Sequence, residues 1–320
     1  MRRSLVVTGL LLSLVSGLAL PASAAPVEKS QGVYVTFLAG LKGDVPATTA
    51  RVETALKGAG FTVLAVFDNG APAGCRARAR TVVFNQEAFA ASVLAGGTDK
   101  AFGLPLRLAV YENEAGIGVA LANPVSLQRT FNASPVRDAA AQKVVDDVAL
   151  ALAPVGPVVP KAAGQIRESG EIGGMGGGLF QEKIVPVLTP GRPPADVARA
   201  LEAGIADAAG WHSVYSFKAS DDVWVVGVTS ARMEGRGFGI AGEKRATSTN
   251  AFPGLDHAAA FPIEIVVARK GAGSSVQILK EMWRMKLYFQ DAGNWAFMKN
   301  MQMPGDIQAE IETAIRKALP

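Results

Sequence analysis

The sequence predicts an α+β protein of two tandem compact α/β sandwich domains, each a mixed β-sheet packed with helices. Three observations predict it. Gly103 to Pro124, GLPLRLAVYENEAGIGVALANP, reads as a Pro-led strand, a polar Gly-containing turn and a returning strand, and Ala260 to Met282, AFPIEIVVARKGAGSSVQILKEM, reads the same way. A long amphipathic helix closes the chain downstream of each stretch, from Asp138 to Leu152 and from Asp306 to Leu319. Between the two lies a run with prolines at one end and glycines at the other, Pro154 to Gly178.

The N-terminus reads as a secretory leader. Arg2 and Arg3 precede the apolar run Leu5 to Leu20, and Ala22-Ser23-Ala24 supplies a small-residue cleavage site, so residues 1–24 are expected to be removed and the protein to be periplasmic or secreted. No stable membrane anchor is expected after cleavage, and the Sec and Tat routes both stay open. Cleavage removes two of the 32 basic residues and none of the 28 acidic ones, leaving a net charge of +2, too small to argue for nucleic acid or an acidic membrane surface. The remaining 296 residues (320 minus 24) suit two domains of about 150 residues.

Cys75 is the single cysteine and cannot close an intramolecular disulfide. It stands among Arg76, Arg78 and Arg80, whose charge would favour the thiolate if the sulfur were exposed.

The first domain is expected over residues 25–153. Val33 to Leu38 is a β-rich run, Asp44 and Pro46 open a helix that Gly60 stops, and Phe61 to Phe67 is a strand before the Asp68-Asn69-Gly70 turn. Thr81 to Phe84 is a further strand and Gln86 to Leu94 a short helix. The closing helix carries Val144, Val148 and Leu152 on one stripe.

ALKGAGFTVLAVFD at Ala55 to Asp68, TVVFNQEAF at Thr81 to Phe89, GLPLRLAVYE at Gly103 to Glu112 and the trailing Asn123-Pro124 stand in an order that resembles the bacterial and archaeal domain of unknown function 302. The resemblance implies a compact α/β domain that tends to dimerise, with no established general activity. Family members often carry a cysteine at Phe84, a proline at Gln86 and a cysteine at Leu106; those departures weaken any thiol or metal role the resemblance would imply.

Residues 154–181 read as an interdomain linker with a flexible distal part, because no Gly-Lys-Ser or Gly-Lys-Thr follows its glycines. Residues 182–320 read as a second, diverged copy. Lys183 to Leu188 is a strand, Ala195 to Ala209 a helix, Gly210-Trp211 parallels Gly60-Phe61, Val223 to Thr229 is a strand, and Arg245 to Asn250 echoes Arg80 to Asn85. This copy is expected to lack the short helix before its hairpin. Gly237 to Gly242 has dinucleotide-loop spacing but is expected to be a glycine-relieved hairpin end, since Glu243 to Asn250 looks extended. Two tandem copies could then pack as a pseudo-dimer within one chain.

The chemistry available to the chain is thin. His212 and His257 belong to no spaced ligand pair, and no Gly-x-Ser-x-Gly elbow occurs. His257 follows Asp256, a carboxylate able to tune it, but a triad would also need a nucleophile. Asp146-Asp147 and Asp221-Asp222 are adjacent pairs whose side chains do not converge. With titratable groups sparse and unclustered, an enzyme ranks last.

Met282 to Met303 holds five methionines and five aromatic residues, Trp283, Tyr288, Phe289, Trp295 and Phe297. Packing against rings is the ordinary use of thioethers; Cu(I) coordination by Met298, Met301 and Met303 is the alternative, and a greasy pocket for a small apolar ligand a further one. The expectation is therefore an exported non-enzymatic binding or interaction protein without cofactor, able to form homo-oligomers, with periplasmic Cu(I) handling as the alternative.

Overall fold

The structure, a computed structural model, describes residues 32–132, 135–166, 171–174, 176–205, 210–242 and 253–320. The leader, Arg245 to Asn250 and the last residues of the Ala195 to Ala209 helix lie outside these. Within the first unit run β1 (Gly32–Leu41), α1 (Val45–Gly58), β2 (Thr62–Asp68), β3 (Ala79–Asn85), α2 (Glu87–Leu94), a 3-10 helix (Thr98–Gly103), β4 (Leu106–Asn113), β5 (Gly116–Ala122), α3 (Pro124–Phe131) and α4 (Pro135–Leu152). The connecting stretch holds β6 (Lys161–Ile166), β7 (Glu171–Ile172), β8 (Gly178–Leu179) and a 3-10 helix (Phe180–Lys183). The second unit comprises β9 (Ile184–Leu188), α5 (Pro194–Gly204), β10 (His212–Ser220), β11 (Val223–Thr229), α6 (Ala231–Gly242), a 3-10 helix (Leu255–Ala260), β12 (Ile263–Lys270) and β13 (Gly273–Leu279). It continues through α7 (Glu281–Phe289), a 3-10 helix (Gln290–Ala292), α8 (Asn294–Lys299) and α9 (Met303–Ala318).

The fold is α+β, two large sheets packed with helices and a two-stranded ribbon of β7 and β8. One sheet has the order β2-β3-β4-β5-β1-β6 and the other β10-β11-β12-β13-β9. Counted from the first strand of each unit, both follow 2-3-4-5-1. The expectation of mixed sheets is corrected: every described pair is antiparallel. A helix after β1 usually joins parallel neighbours, but β1 lies beside β5, with Tyr34 opposite Ala122, and not beside β2.

Local chemistry sets the element ends. The Asp44 side chain accepts from Ala47 N at 2.7 Å and caps α1, whose buried face is Val45, Thr48, Thr49, Val52 and Leu56. Asn123 caps α3, accepting from Val125 N at 3.0 Å, while its Nδ2 donates to Gly32 O at 2.8 Å, so one side chain fixes both a helix start and the entry of β1. Gly60 takes φ +85° after α1, a conformation in which an L side chain is strained.

Residues 106–111 of β4 are buried in succession, not alternately, because α1 packs on this strand and so does Leu255–Ala260 from the second unit. Residues 263–268 of β12 repeat the pattern between α5 and Thr98–Gly103. The buried apolar core is accordingly contiguous from one unit to the other and takes in Val155, Ile172 and Phe180 of the connecting stretch.

That stretch corrects the reading of a flexible linker. β6 pairs antiparallel with β1, Tyr34 opposite Ala163 and Val35 opposite Ala162, and covers an edge that β1 would otherwise expose. The buried Phe180 ring lies 4.7 Å from Phe131, 5.9 Å from Trp283 and 6.2 Å from Phe102, and the Trp283 indole donates to Gly178 O at 2.9 Å. Its Gly, Pro and Lys content resembles a linker because few apolar side chains are needed to dock it.

Two expectations for the second unit are also corrected. Residues 237–242 are the end of α6 and not a hairpin end, and α6 occupies the place where the short helix was expected to be missing. Each glycine in a helix interior costs about 1 kcal/mol relative to alanine, but here glycine permits close approach. A Cβ on Gly235 would meet Ala71 O at 2.9 Å, and one on Gly237 would touch the Phe261 and Phe289 rings at 3.5 Å. The strand beside β12, as β3 is beside β4, is β11.

Candidate functional site

The charged and aromatic groups absent from any sequence motif gather where the units meet. Arg107 on β4 and Glu264 on β12, each 2% exposed, form an ion pair. Arg107 Nη1 also donates to Pro262 O at 3.2 Å and Nη2 to the Tyr288 hydroxyl. Arg284 on α7 stands 3.8 Å from the other Glu264 oxygen and 3.3 Å from Glu281, and donates to the carbonyls of Ala260 and Pro262. Both guanidinium carbons lie close to the Tyr288 ring, at 5.1 and 5.2 Å, within cation–π range. Burial pushes the Glu281 carboxyl up to about 7 against the pull of Arg284.

Beside this cluster lies His257. Its Nδ1 is 3.0 Å from Asp256 Oδ1 and its Nε2 3.0 Å from both oxygens of Asp291. Phe289 stacks on the imidazole at 5.4 Å and Tyr34, from β1, meets it edge-on at 5.0 Å. Burial opposes the charge, but the Asp256 and Asp291 carboxylates prevail and hold the imidazole up to about 9. Asp291, pushed up by its own burial, is nevertheless held below the usual range by its bond to His257. Tyr34 donates to Tyr288 O at 3.2 Å, and burial, reinforced by Asp291, raises its phenol well above the ordinary value.

A third group ties the Asp68-Asn69-Gly70 turn to α6. The buried Glu234 carboxylate accepts from Asn69 Nδ2 at 3.2 Å, from Gly70 N and from Thr229 Oγ1. Burial raises it to about 7 against those three donors. Thr81 Oγ1 crosses the same seam to Ala258 O at 3.1 Å.

The reading of sparse, unclustered titratable groups is therefore corrected. Asp256 was visible beside His257, but Asp291 was not, because it sits in a short turn of a stretch read for its methionines. Its approach to His257 is a tertiary event. Both ring nitrogens of His257 face carboxylates, so the arrangement is an imidazolium clamp and not a base with a lone pair open to a substrate.

The other sequence candidates disperse. Met303 is buried at the start of α9, whereas Met298 and Met301 are 57% and 46% exposed. Cys75 is half-buried with Sγ 3.7 Å from Ala77 O, and burial, reinforced by Glu112, pushes its thiol up against the bond to Ala77, so the exposure on which the thiolate expectation depended is not met. His212 is exposed on β10. Asp147 pairs with Lys143 at 2.7 Å, Asp221 with Lys218 at 2.7 Å and Asp222 with Arg269. Among the described residues no group of three or more His, Cys, Asp or Glu side chains is placed to hold a metal ion, and no helix is long and apolar enough to cross a membrane.

Surface hollows lie away from the seam. One of about 470 Å³ is lined by Ala50, Arg51, Thr54 and Ala55 of α1 with Pro154 and Val155. Another of about 230 Å³ lies between Leu188–Arg192 and the C-terminal Leu319 and Pro320.

Fold and site together define an α+β protein with a cluster of buried ionisable side chains at an internal seam. Residues 40–153 match the family described as "Domain of unknown function DUF302". No curated protein matches the chain in sequence. Among solved structures it is similar to the "uncharacterized conserved protein DUF302 from Bacillus stearothermophilus", at 20% identity and a TM-score of 0.32, over 38% of this chain and 96% of that one.

Proposed function

We propose that this chain is an exported, non-enzymatic binding or interaction protein in which two units, the second a diverged relative of the first, pack as an internal pseudo-dimer. The observation that carries this reading is the mutual engagement of the seam's charged groups. Arg107, Arg284 and His257 are each met by carboxylates across or beside the seam, and their use is to hold an assembly. The common 2-3-4-5-1 strand order supports the kinship of the units, and the reciprocal packing of β4 on Leu255–Ala260 and of β12 on Thr98–Gly103 supports the pseudo-dimer. Export rests on the leader read in residues 1–24.

A ligand would sit outside the seam, and the hollow along α1, apolar apart from Arg51 and Thr54, has the volume of a small-molecule site. Native mass spectrometry of the protein isolated from its own cell envelope tests the reading: a chain beginning at Ala25 with a bound small molecule or partner is expected. Turnover in a hydrolase or redox screen that disappears in His257→Gln would overturn it.

Cu(I) handling is the second reading. It is favoured by the exposure of Met298 and Met301, which leaves two thioethers available to a soft ion where packing would have buried them. Titration of the reduced protein with Cu(I) is expected to give stoichiometric binding lost in Met298→Leu/Met301→Leu; equal binding by the variant removes this reading.

A further inference from the structure

Arg107 and Glu264 occupy matching places. Each is the second residue after a proline, in Pro105-Leu106-Arg107 and Pro262-Ile263-Glu264, and each is the second residue of its strand, β4 or β12. Matching places in contact with each other are what a two-fold contact produces: a residue near the axis meets its own counterpart. Here the counterparts carry opposite charges and are both shut away from water.

A second inequality reinforces the first. Arg284 is the fifth residue after β13 and adds a second cation to Glu264, whereas the fifth residue after β5 is Leu127, which is neutral. Glu281 in turn balances Arg284. The second unit thus brings its own Arg284–Glu281 pair and leaves one oxygen of Glu264 to be met by the first unit's Arg107.

We propose that this seam is a charge-coded pairing surface. The first unit accepts only a unit of the same topology with an acid at the second position of its fourth strand, and the second accepts only one with an arginine there. Two first units would set Arg107 against Arg107, and two second units Glu264 against Glu264, contacts that desolvation makes strongly repulsive. A second copy of this chain therefore joins only by reciprocal exchange, the first unit of each seated on the second unit of the other. The inference rests on the pseudo-dimer reading above and adds the rule that governs who pairs with whom.

The test uses two full-length variants. Arg107→Glu spoils the first unit's face and leaves the second intact; Glu264→Arg does the reverse. Each alone is expected to lose its cooperative unfolding transition or to shift its denaturation midpoint strongly downward, without forming a dimer. Co-expressed with different tags, they are expected to co-purify as a one-to-one dimer of twice the chain mass, because exchange restores one Arg107–Glu264 seam.

Arg107→Met, which removes the charge without reversing it, should shift the midpoint less than Arg107→Glu. A dimer formed by either reversal variant alone, co-expressed variants that behave as the sum of the singles, or an unshifted midpoint for both reversals would each overturn the proposal. Small-angle scattering on the wild-type monomer separates the two levels. An extended particle with detached units sinks the pseudo-dimer reading itself, whereas a compact monomer whose variants ignore one another sinks only the charge code.

Discussion

Two short 3-10 helices, Thr98–Gly103 and Leu255–Ala260, each begin eight residues before the fourth strand of their unit, and each carries an aspartate followed by a basic residue, Asp99-Lys100 in one and Asp256-His257 in the other. In the first, the lysine binds Asp99 at 2.8 Å and lies 4.8 Å over the Phe180 ring. In the second, the imidazole takes Asp256 on one nitrogen and Asp291 on the other, with Phe289 stacked on its face. A flexible ammonium is satisfied by one local acid and a ring delivered by the connecting stretch. A rigid imidazole with two donors requires two acids, and the second comes from the turn after α7. The same place in the fold therefore anchors the connecting stretch in one unit and the α7–α8 turn in the other.

The largest effect should come from the first place. Phe180→Ala removes a buried ring among Phe102, Phe131 and Trp283 and should cost about 3–5 kcal/mol by denaturant titration. A loss below about 1 kcal/mol would mean that the connecting stretch is not held by this ring.

His257→Ala should follow, at about 2–3 kcal/mol, because Asp256 and Asp291 would face each other without their cation while keeping some access to water. Recovery on further changing Asp291→Asn would confirm that the carboxylate pair is the cause.

The third prediction concerns pH. His257 binds its proton more tightly folded than unfolded, so its contribution is complete below about 6.5 and is lost as pH rises through about 9. Glu234 and Glu281, raised from 4.5 to about 7, act in the same direction: folding favours their protonated forms, an advantage lost as pH rises through about 7. Asp291, held low, acts oppositely, and its contribution is lost only on acidification below its ordinary value of 3.8. Stability measured across pH should therefore be highest on the mildly acid side and fall toward pH 9, by on the order of 2–3 kcal/mol from His257. His257→Gln should flatten the fall between pH 7 and 9; an unchanged slope would assign it elsewhere.

The smallest effect is expected for Lys100→Met, about 1 kcal/mol, since Asp99 is one-third exposed and water can take over its charge. If Lys100→Met and His257→Ala cost the same, the contrast between the two places loses its physical basis.

Much of the backbone was legible from residue types. Asp44 with Pro46, the paired apolar runs of β4 and β5, and the stripe of α4 are local signals that neighbours along the chain enforce, and each element formed where expected. The glycine-bearing α6 escapes a local reading because its Gly235 lies against Ala71, an approach that no local pattern reports. β6 was missed because a strand recruited to cover an edge needs few apolar residues of its own. Of the site, only Asp256 beside His257 could be read.

By itself the sequence determined what depends on near neighbours: most of the strands, the Asp44 start of α1, the α+β class and the resemblance of the first unit. Tertiary structure alone decided which strand lies beside β1, what the connecting stretch does, and that Arg107 meets Glu264 and His257 meets Asp291. The physical reason is range. Propensity and capping act within a turn or two of chain, whereas a buried charge takes whatever opposite charge the closed fold brings to it.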